Sequence, residues 1–423
     1  MKKLIFGASL LALGLAGNAN AAGYQLNEYS ITNLGRAFAG AGIMGDDYSA
    51  LANNPAGMTL VKRSGMSLGL VEVEEYSVIK GEGAYEGQGT KMHYGVPLPS
   101  AFGQWNVNDK LFLGAGFYVP FGLSTKHKSG SFIGQAPAIT GGGTRVSELE
   151  VMDTAIAAAY KVNSKLSLGA TLIYRYIHGN MTSNVMGDGG LLPPGKLGEA
   201  GYDLDGWTWT GNLGLMYEFT PDTRIGISYR MKSKQTVKGD YTNTAFGMLG
   251  QPTVYDDGRA SPDLPSSIII SGYHKLNDKL GLSASAKWTN WSVFKRFTMT
   301  SPTAASNPNP LVQGMATTMH NYQYRDSWTL SLGADVYLND RWTWRFGTAY
   351  DQSPVRSAAH RSNRIPDVNR TWLTTGLSYE ADNWQVDFGY AHLFMNKGRT
   401  GIGVDAEYSS HSNMYGLNVQ YKF

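Results

Sequence analysis

A chain of 423 residues with no cysteine and only 16% charged residues cannot be held by disulfides and is long enough for one large barrel or two to three ordinary domains. Its formal charge is +3; discounting Lys2 and Lys3, at the extreme N-terminus, leaves about +1, a balance that does not support a nucleic-acid partner. Beyond residue 21 no apolar run reaches the roughly 20 residues a spanning helix needs, whereas low charge with abundant aromatics suits a transmembrane β-barrel, whose apolar residues fall at alternate positions.

Residues 1–21 read as a secretory signal. Lys2 and Lys3 form the basic end, Leu4 to Leu15 the apolar region and Ala19-Asn20-Ala21 the small-residue cleavage site. The next stretch, to about residue 63, has neither a twofold nor a 3.6-fold period. It carries adjacent acids at Asp46 and Asp47 and a turn at Asn54-Pro55-Ala56, with glycines at 40, 42, 45 and 57. Proline removes an N–H and pushes its predecessor out of the helical region, so Asn-Pro marks a turn.

From Ser64 onward the sequence alternates. Trp209, Gly211, Leu213, Leu215, Tyr217 and Phe219 oppose Thr210, Asn212, Gly214, Met216 and Glu218, and the same period runs through 224–232, 280–288 and 341–351. Successive strand residues point to opposite faces, so this pattern predicts strands. Short Asn/Asp turns at 107–110, 162–165, 221–224, 276–279, 338–341 and 381–384 alternate with longer Gly/Pro/Ser-rich segments around 76–97, 122–148, 179–206, 239–262, 300–321, 352–369 and 396–410. Six short turns and seven long loops predict about fourteen antiparallel strands, with the short turns facing the periplasm and the long loops facing outward. The last strand ends in Tyr415, Leu417, Val419, Tyr421 and Phe423. It must pair with the first, because an open edge cannot persist in lipid.

The chain resembles the long-chain fatty acid transporter family of Gram-negative outer membranes, which also includes aromatic-hydrocarbon channels. The likeness is carried by Ala22 to Glu28, Leu34 to Phe38, Asp46-Asp47, Asn54-Pro55-Ala56, Tyr229-Arg230, Lys238-Gly239, Asp351 to Val355 and Ile365-Pro366-Asp367. It implies a fourteen-stranded outer-membrane barrel over 64–423, plugged by an N-terminal hatch over 22–63. It also implies capture of hydrophobic molecules among the outer loops, passage to an inner site, and lateral exit through the wall without energy coupling. The partners it implies are long-chain fatty acids or aromatic hydrocarbons, within outer-membrane lipid and lipopolysaccharide, and the protein is expected to act as a monomer.

A hydrophobic carboxylate needs an apolar trough and one desolvated cation. Arg325 is the first candidate, because the resemblance implies a basic head-group residue near Tyr322 to Asp326. Arg230, Arg175 and Lys287 fall on polar strand faces as weaker candidates, and each also reads as a solvated lumen charge. Gly114 and Gly116 in the third strand are candidates for a bend that opens the wall; their other reading is small residues beneath the hatch. Asn54, Pro55, Ala56, Asp46 and Asp47 are the candidate hatch gate. Apolar loop positions at Leu191-Leu192, Leu197, Phe246, Met248 and Leu249 suit first capture. No cofactor or metal is expected, since the eight histidines are scattered. Catalysis is not expected either, nor a nucleophile elbow of the Gly-x-Ser-x-Gly kind.

Overall fold

The computed structural model describes residues 23–136, 143–187 and 193–423. The signal expected at 1–21 and the Leu191-Leu192 pair lie outside the described residues.

Fourteen antiparallel strands close into a barrel. They are β1 (Gly65–Gly81), β2 (Gly89–Asn106), β3 (Leu111–Lys126), β4 (Thr144–Lys161), β5 (Leu166–Gly187) and β6 (Gly195–Thr220). Four strands come in two pieces: β7 (Thr223–Arg230 and Val237–Asn243), β8 (Val254–Ala260 and Ser267–Asn277), β9 (Leu280–Thr289 and Arg296–Thr300) and β10 (Thr317–Asn321 and Ser327–Tyr337). The last four are β11 (Trp342–Asp351), β12 (Arg370–Glu380), β13 (Trp384–Met395) and β14 (Ala406–Lys422). The seam is closed from Gly65↔Lys422 to Gly81↔Ala406. Arg63 ties it from below, donating Nε to the Phe423 carbonyl at 3.0 Å and Nη1 to that of Asp382 at 2.8 Å.

The alternation works as predicted. Trp209, Leu213 and Phe219 lie exposed on the outside of β6, while Thr210 and Asn212 are buried. The short turns form because an asparagine side chain takes the place of a backbone partner. Asn108 Oδ1 accepts from Lys110 N and Leu111 N, both at 2.9 Å, and Asn163, Asn277 and Asn339 repeat the device. At the other end the strands run further than composition suggests. Residues 179–206 are mostly the ladder of β5 and β6, which continues through Met181↔Tyr202. Continuing the ladder supplies partners to backbone groups that a loop would have to find elsewhere.

Residues 23–61 lie inside the barrel and are almost wholly buried from Tyr24 to Val61. They hold only single turns, α1 (Ile31–Leu34), α2 (Ala50–Asn53) and a 3-10 turn at Pro55–Leu60. A segment with so little repeated structure leaves its carbonyls unpaired, and the inward polar face of the wall answers them. Thr171 Oγ1 donates to Leu51 O (2.8 Å), Asn212 Nδ2 to Asn53 O (2.8 Å), Gln104 Nε2 to Met58 O (3.0 Å) and Arg224 Nε to Ile43 O (2.6 Å).

One seam is incomplete. β2 and β3 pair only from Ala101↔Phe117 to Asn106↔Phe112. Above that, β2 pairs β1 alone and β3 pairs β4 alone. Pro97, Pro99 and Pro120 fall in the separated stretches, and proline cannot donate to a ladder. The register of β3 against β4 slips between Tyr118 and Phe121, across Pro120.

Candidate functional site

Above the N-terminal segment lies an apolar cavity of about 70 Å³, walled by Tyr24, Leu264, Phe294, Phe297, Met299 and Tyr322 among others. Arg364, in the loop between β11 and β12, reaches its wall and is 5% exposed. The guanidinium is fixed by Val146 O (2.9 Å), Ser147 Oγ (2.9 Å) and Thr182 O (3.2 Å). Among the described residues no carboxylate pairs with it. Burial pushes it down from its ordinary value, with only the Tyr322 hydroxyl opposing. The carboxylate at the cavity wall, Glu148, is already held by Lys126 at 2.6 Å. A buried cation without a counter-ion beside an apolar cavity is an arrangement that favours an anionic ligand head with an apolar tail. A wider cavity of about 650 Å³ on the long-loop side shares Arg364, Met181 and Met299 with the inner one.

Below the cavity the N-terminal segment meets the incomplete seam. Leu26 N donates to Pro120 O at 2.8 Å and Gly122 N to Tyr24 O at 2.9 Å. The segment thus occupies the β3 edge that β2 leaves free, with Gln25 opposite Phe121. Leu26 belongs to the same buried apolar cluster as Val96 and Leu98 of β2, against which Val119 of β3 packs, so this cluster spans the gap from within. Tyr24 lines the cavity two residues earlier.

A family model described as "Outer membrane protein transport protein (OMPP1/FadL/TodX)" matches residues 12–423. The chain belongs to that family. Outer membrane protein P1 of Haemophilus influenzae is 31% identical, with 100% of both chains covered. The long-chain fatty acid transport protein of Escherichia coli (strain K12) is 29% identical, again over 100% of both. Among solved structures, a Pseudomonas aeruginosa FadL homologue superposes with a TM-score of 0.82 at 24% identity, over 95% of this chain and 100% of that one. The Pseudomonas putida toluene transporter TodX gives 0.65 at 20% identity, over 96% and 100%. The family is one of outer-membrane transporters of hydrophobic compounds, and membership fixes the barrel, its location and its transport class for this chain.

The cations named from the sequence stand outside the apolar cavity. Arg325 is half-buried, on a stretch that Gln323 turns with a φ of 50° and whose neighbours Tyr322 and Tyr324 are buried. Arg175 is spent on Asp153, with Nε to Oδ1 at 2.7 Å and Nη2 to Oδ2 at 2.8 Å. Arg230 contacts the same acid at 3.4 Å and the Ala52 carbonyl at 2.7 Å. Lys287 Nζ donates to Asn27 Oδ1 at 2.8 Å, beside a separate small cavity with Asp351. Arg364 was overlooked; its signal is its place directly before the Ile365-Pro366-Asp367 motif. Gly114 and Gly116 sit in the paired base of the seam, opposite Gln104 and Phe102. A side chain at Gly114 would strike Met58, and one at Gly116 would strike Phe102, so the register break belongs to Pro120 instead. Of the apolar loop positions, Phe246 is buried and Met248 is exposed.

Asn54-Pro55-Ala56 is built into the wall. Asn54 Oδ1 accepts from Ala56 N at 3.1 Å, and its Nδ2 donates to Leu215 O (3.1 Å) and Ile227 O (3.4 Å). Glycines beneath it allow this approach: a Cβ at Gly214 would stand 2.1 Å from Asn54 Oδ1, and one at Gly169 2.5 Å from Ala56 N. Asp46 joins a buried ionic quartet. Arg36 reaches Asp46 at 2.7 Å and Asp335 at 2.9 Å, and Arg345 reaches both at 3.1 Å. Although burial opposes it, these arginines hold Asp46 well below the usual carboxylate range. Asp47 acts within the segment, accepting from Ser30 Oγ, Thr32 Oγ1 (2.9 Å) and Ser49 Oγ (2.7 Å).

A Gly-x-Ser-x-Gly spacing does occur, at Gly65-Met66-Ser67-Leu68-Gly69, against expectation. It runs within β1 rather than at a strand-to-helix elbow, and Ser67 is buried with Phe102 and Gln420 as its register partners. That is not the geometry of an exposed nucleophile.

Glu28 is 1% exposed, with Oε2 accepting from Asn27 N at 2.6 Å and Oε1 unpartnered. Burial pushes its carboxyl up to about 7 from 4.5, against the opposing backbone hydrogen bonds and the charges of Arg370 and Lys287. The seated segment therefore binds more protons than the released one between those values. Its stability is undiminished below pH 4.5 and falls as the pH rises to about 7. Hydrogen-exchange protection of the Leu26 amide should decline across that window and be nearly flat in Glu28→Gln. An unchanged slope in the variant would assign the titration elsewhere.

Proposed function

We propose that this protein carries long-chain fatty acids inward across the outer membrane by diffusion. The observation that carries this reading is Arg364, buried and, among the described residues, without a carboxylate partner, at the wall of the apolar cavity. Two relatives, each 29% identical over the whole chain, support it, and both are named for long-chain fatty acid transport. The ligand collects in the wider cavity among the outer loops. Its carboxylate stops at Arg364, and its chain enters the apolar cavity. Engineered cavities that take benzene measure about 150 Å³, so a 70 Å³ cavity must widen for any such ligand. Tyr24 is the wall residue that belongs to the N-terminal segment. Displacing it draws Leu26 from the β2–β3 gap, and the ligand leaves sideways into the membrane. In this reading residues 22–63 act as a hatch, and one barrel suffices.

The ring-lined wall of Tyr24, Phe294, Phe297 and Tyr322 also suits a monoaromatic hydrocarbon. Calorimetric binding of oleate, oleyl alcohol and toluene to the purified protein separates the readings. Oleate should bind, and the alcohol, lacking the charge, should bind at least tenfold more weakly. Toluene binding without oleate binding would make this a hydrocarbon channel.

A further inference from the structure

The geometry points to a docking site for the phosphate groups of an outer-leaflet glycolipid, formed on the outside of the barrel by Lys295, Arg296, Arg325 and Arg356. The breaks in β9 and β10 and the start of the β11–β12 loop bring these residues together. Gln323 N donates to Lys295 O at 3.0 Å, Arg325 N to Pro354 O at 2.9 Å, and the Arg356 Nε to Gln323 O at 2.6 Å. Arg296 stands opposite Asn321 in the ladder. The inward positions of the same segments are Phe294, Tyr322 and Tyr324, all buried in the aromatic core. Phe297 and Met299 line the inner cavity, so alternation turns Arg296 away from it; Lys295, Arg296 and Arg356 are exposed, and Arg325 is half-buried.

Charge and level both favour an anionic lipid head. Among the described residues none of the four has a salt-bridge partner. The carboxylate in the same stretch is Asp326, already accepting from Ser292 N at 2.9 Å, and the next cation along, Lys232, is satisfied by Asp263 at 2.6 Å. The result is a local excess of positive charge. It stands directly beyond an aromatic row on the lipid-facing side, in which Trp328 pairs with Trp288, Trp288 with Ile268, and Ile268 with Tyr229. Such a row marks the membrane interface. Arg325 follows Trp328 on the long-loop side at a chain distance of about 10 Å, at roughly 3.3 Å per residue. That is the height of the outer head groups. Guanidinium groups match phosphate oxygens bidentately, and clustered cations at this level recognise lipid head groups. The site is separate from the cavity at Arg364, so the fatty-acid reading and this one stand or fall independently.

The test is native mass spectrometry of the full-length folded protein in detergent with bis-phosphorylated lipid A, and with lipid A stripped of its phosphates. Wild type should retain the phosphorylated form. The combined variant Lys295→Gln, Arg296→Gln, Arg325→Gln, Arg356→Gln should lose adducts by about tenfold or more, while Lys128→Gln with Lys196→Gln, exposed cations elsewhere on the outer loops, should stay within about twofold of wild type. Heat-modifiable gel mobility confirms that each variant is folded, and Arg325→Gln alone serves if the combined variant is not. Equal adducts in wild type and variant would overturn the proposal. So would equal retention of the dephosphorylated lipid, or displacement by millimolar inorganic phosphate, which would make the cluster a free-anion site.

Discussion

Replacing Arg364 by Ala is expected to weaken oleate binding by roughly ten- to hundredfold, since a hydrogen bond to a charged group contributes about 1.5–3 kcal/mol. The cost is large because Arg364 is buried: a carboxylate brought to that wall leaves water behind and, among the described residues, finds no other cation lining the cavity. Arg175 and Arg230 are committed to Asp153, and Lys287 borders a different cavity. Arg364→Lys keeps the charge but loses the fork that reaches Val146 O, Ser147 Oγ and Thr182 O together, so its affinity should fall between the two. Because Arg364 also ties its loop to β4 and β5, truncation could disturb the cavity itself. Toluene binding controls for this: if the cavity survives, toluene binds Arg364→Ala as it binds wild type. Oleate affinity unchanged in Arg364→Ala would remove the residue from the head-group site. Arg325→Ala, in contrast, should leave oleate binding within about twofold, as for a charge away from the ligand.

The barrel was legible because its cause is local. Side chains alternate at every strand, and asparagines at 108, 163, 277 and 339 build turns within four residues of chain. The embedding of Asn54-Pro55-Ala56 was half legible: the turn follows from proline, but the matching glycines at 169 and 214 lie on other strands and acquire meaning only when the wall curves around the segment. Arg364 was legible only as the residue before Ile365-Pro366-Asp367, not in its role. What distinguishes it from the other arginines is the lack of a partner, and partners such as Asp153 for Arg175 are set by register, not by sequence distance. Arg325 could not be placed by alternation, because Gln323 turns its stretch with a φ of 50°. The weakened seam was written in Pro97, Pro99 and Pro120, whose missing donors forbid a full ladder. Gly114 and Gly116 drew attention because glycine is the commoner sign of a bend, yet here they make room for Met58 and Leu51.

A disulfide between Gln25→Cys and Phe121→Cys is expected to abolish fatty-acid uptake by cells, at least tenfold, while leaving oleate binding to the purified protein intact. The chain has no cysteine of its own, so the new pair forms without competition. The two positions face each other as an antiparallel bridge, where Cα atoms stand about 4.5–5.5 Å apart, within the reach of a disulfide. Without the staple, the segment is held at β3 by two backbone hydrogen bonds, worth about 1 kcal/mol each, and by burial of Leu26, worth about 2 kcal/mol. A ligand that wedges against Tyr24 can offset a sum of that size. It cannot break a covalent bond, so the stapled protein should load and then hold its ligand, and reductant should restore uptake. Complete oxidation with uptake unchanged would mean that the ligand leaves by another path, and that Leu26 merely fills the space between β2 and β3.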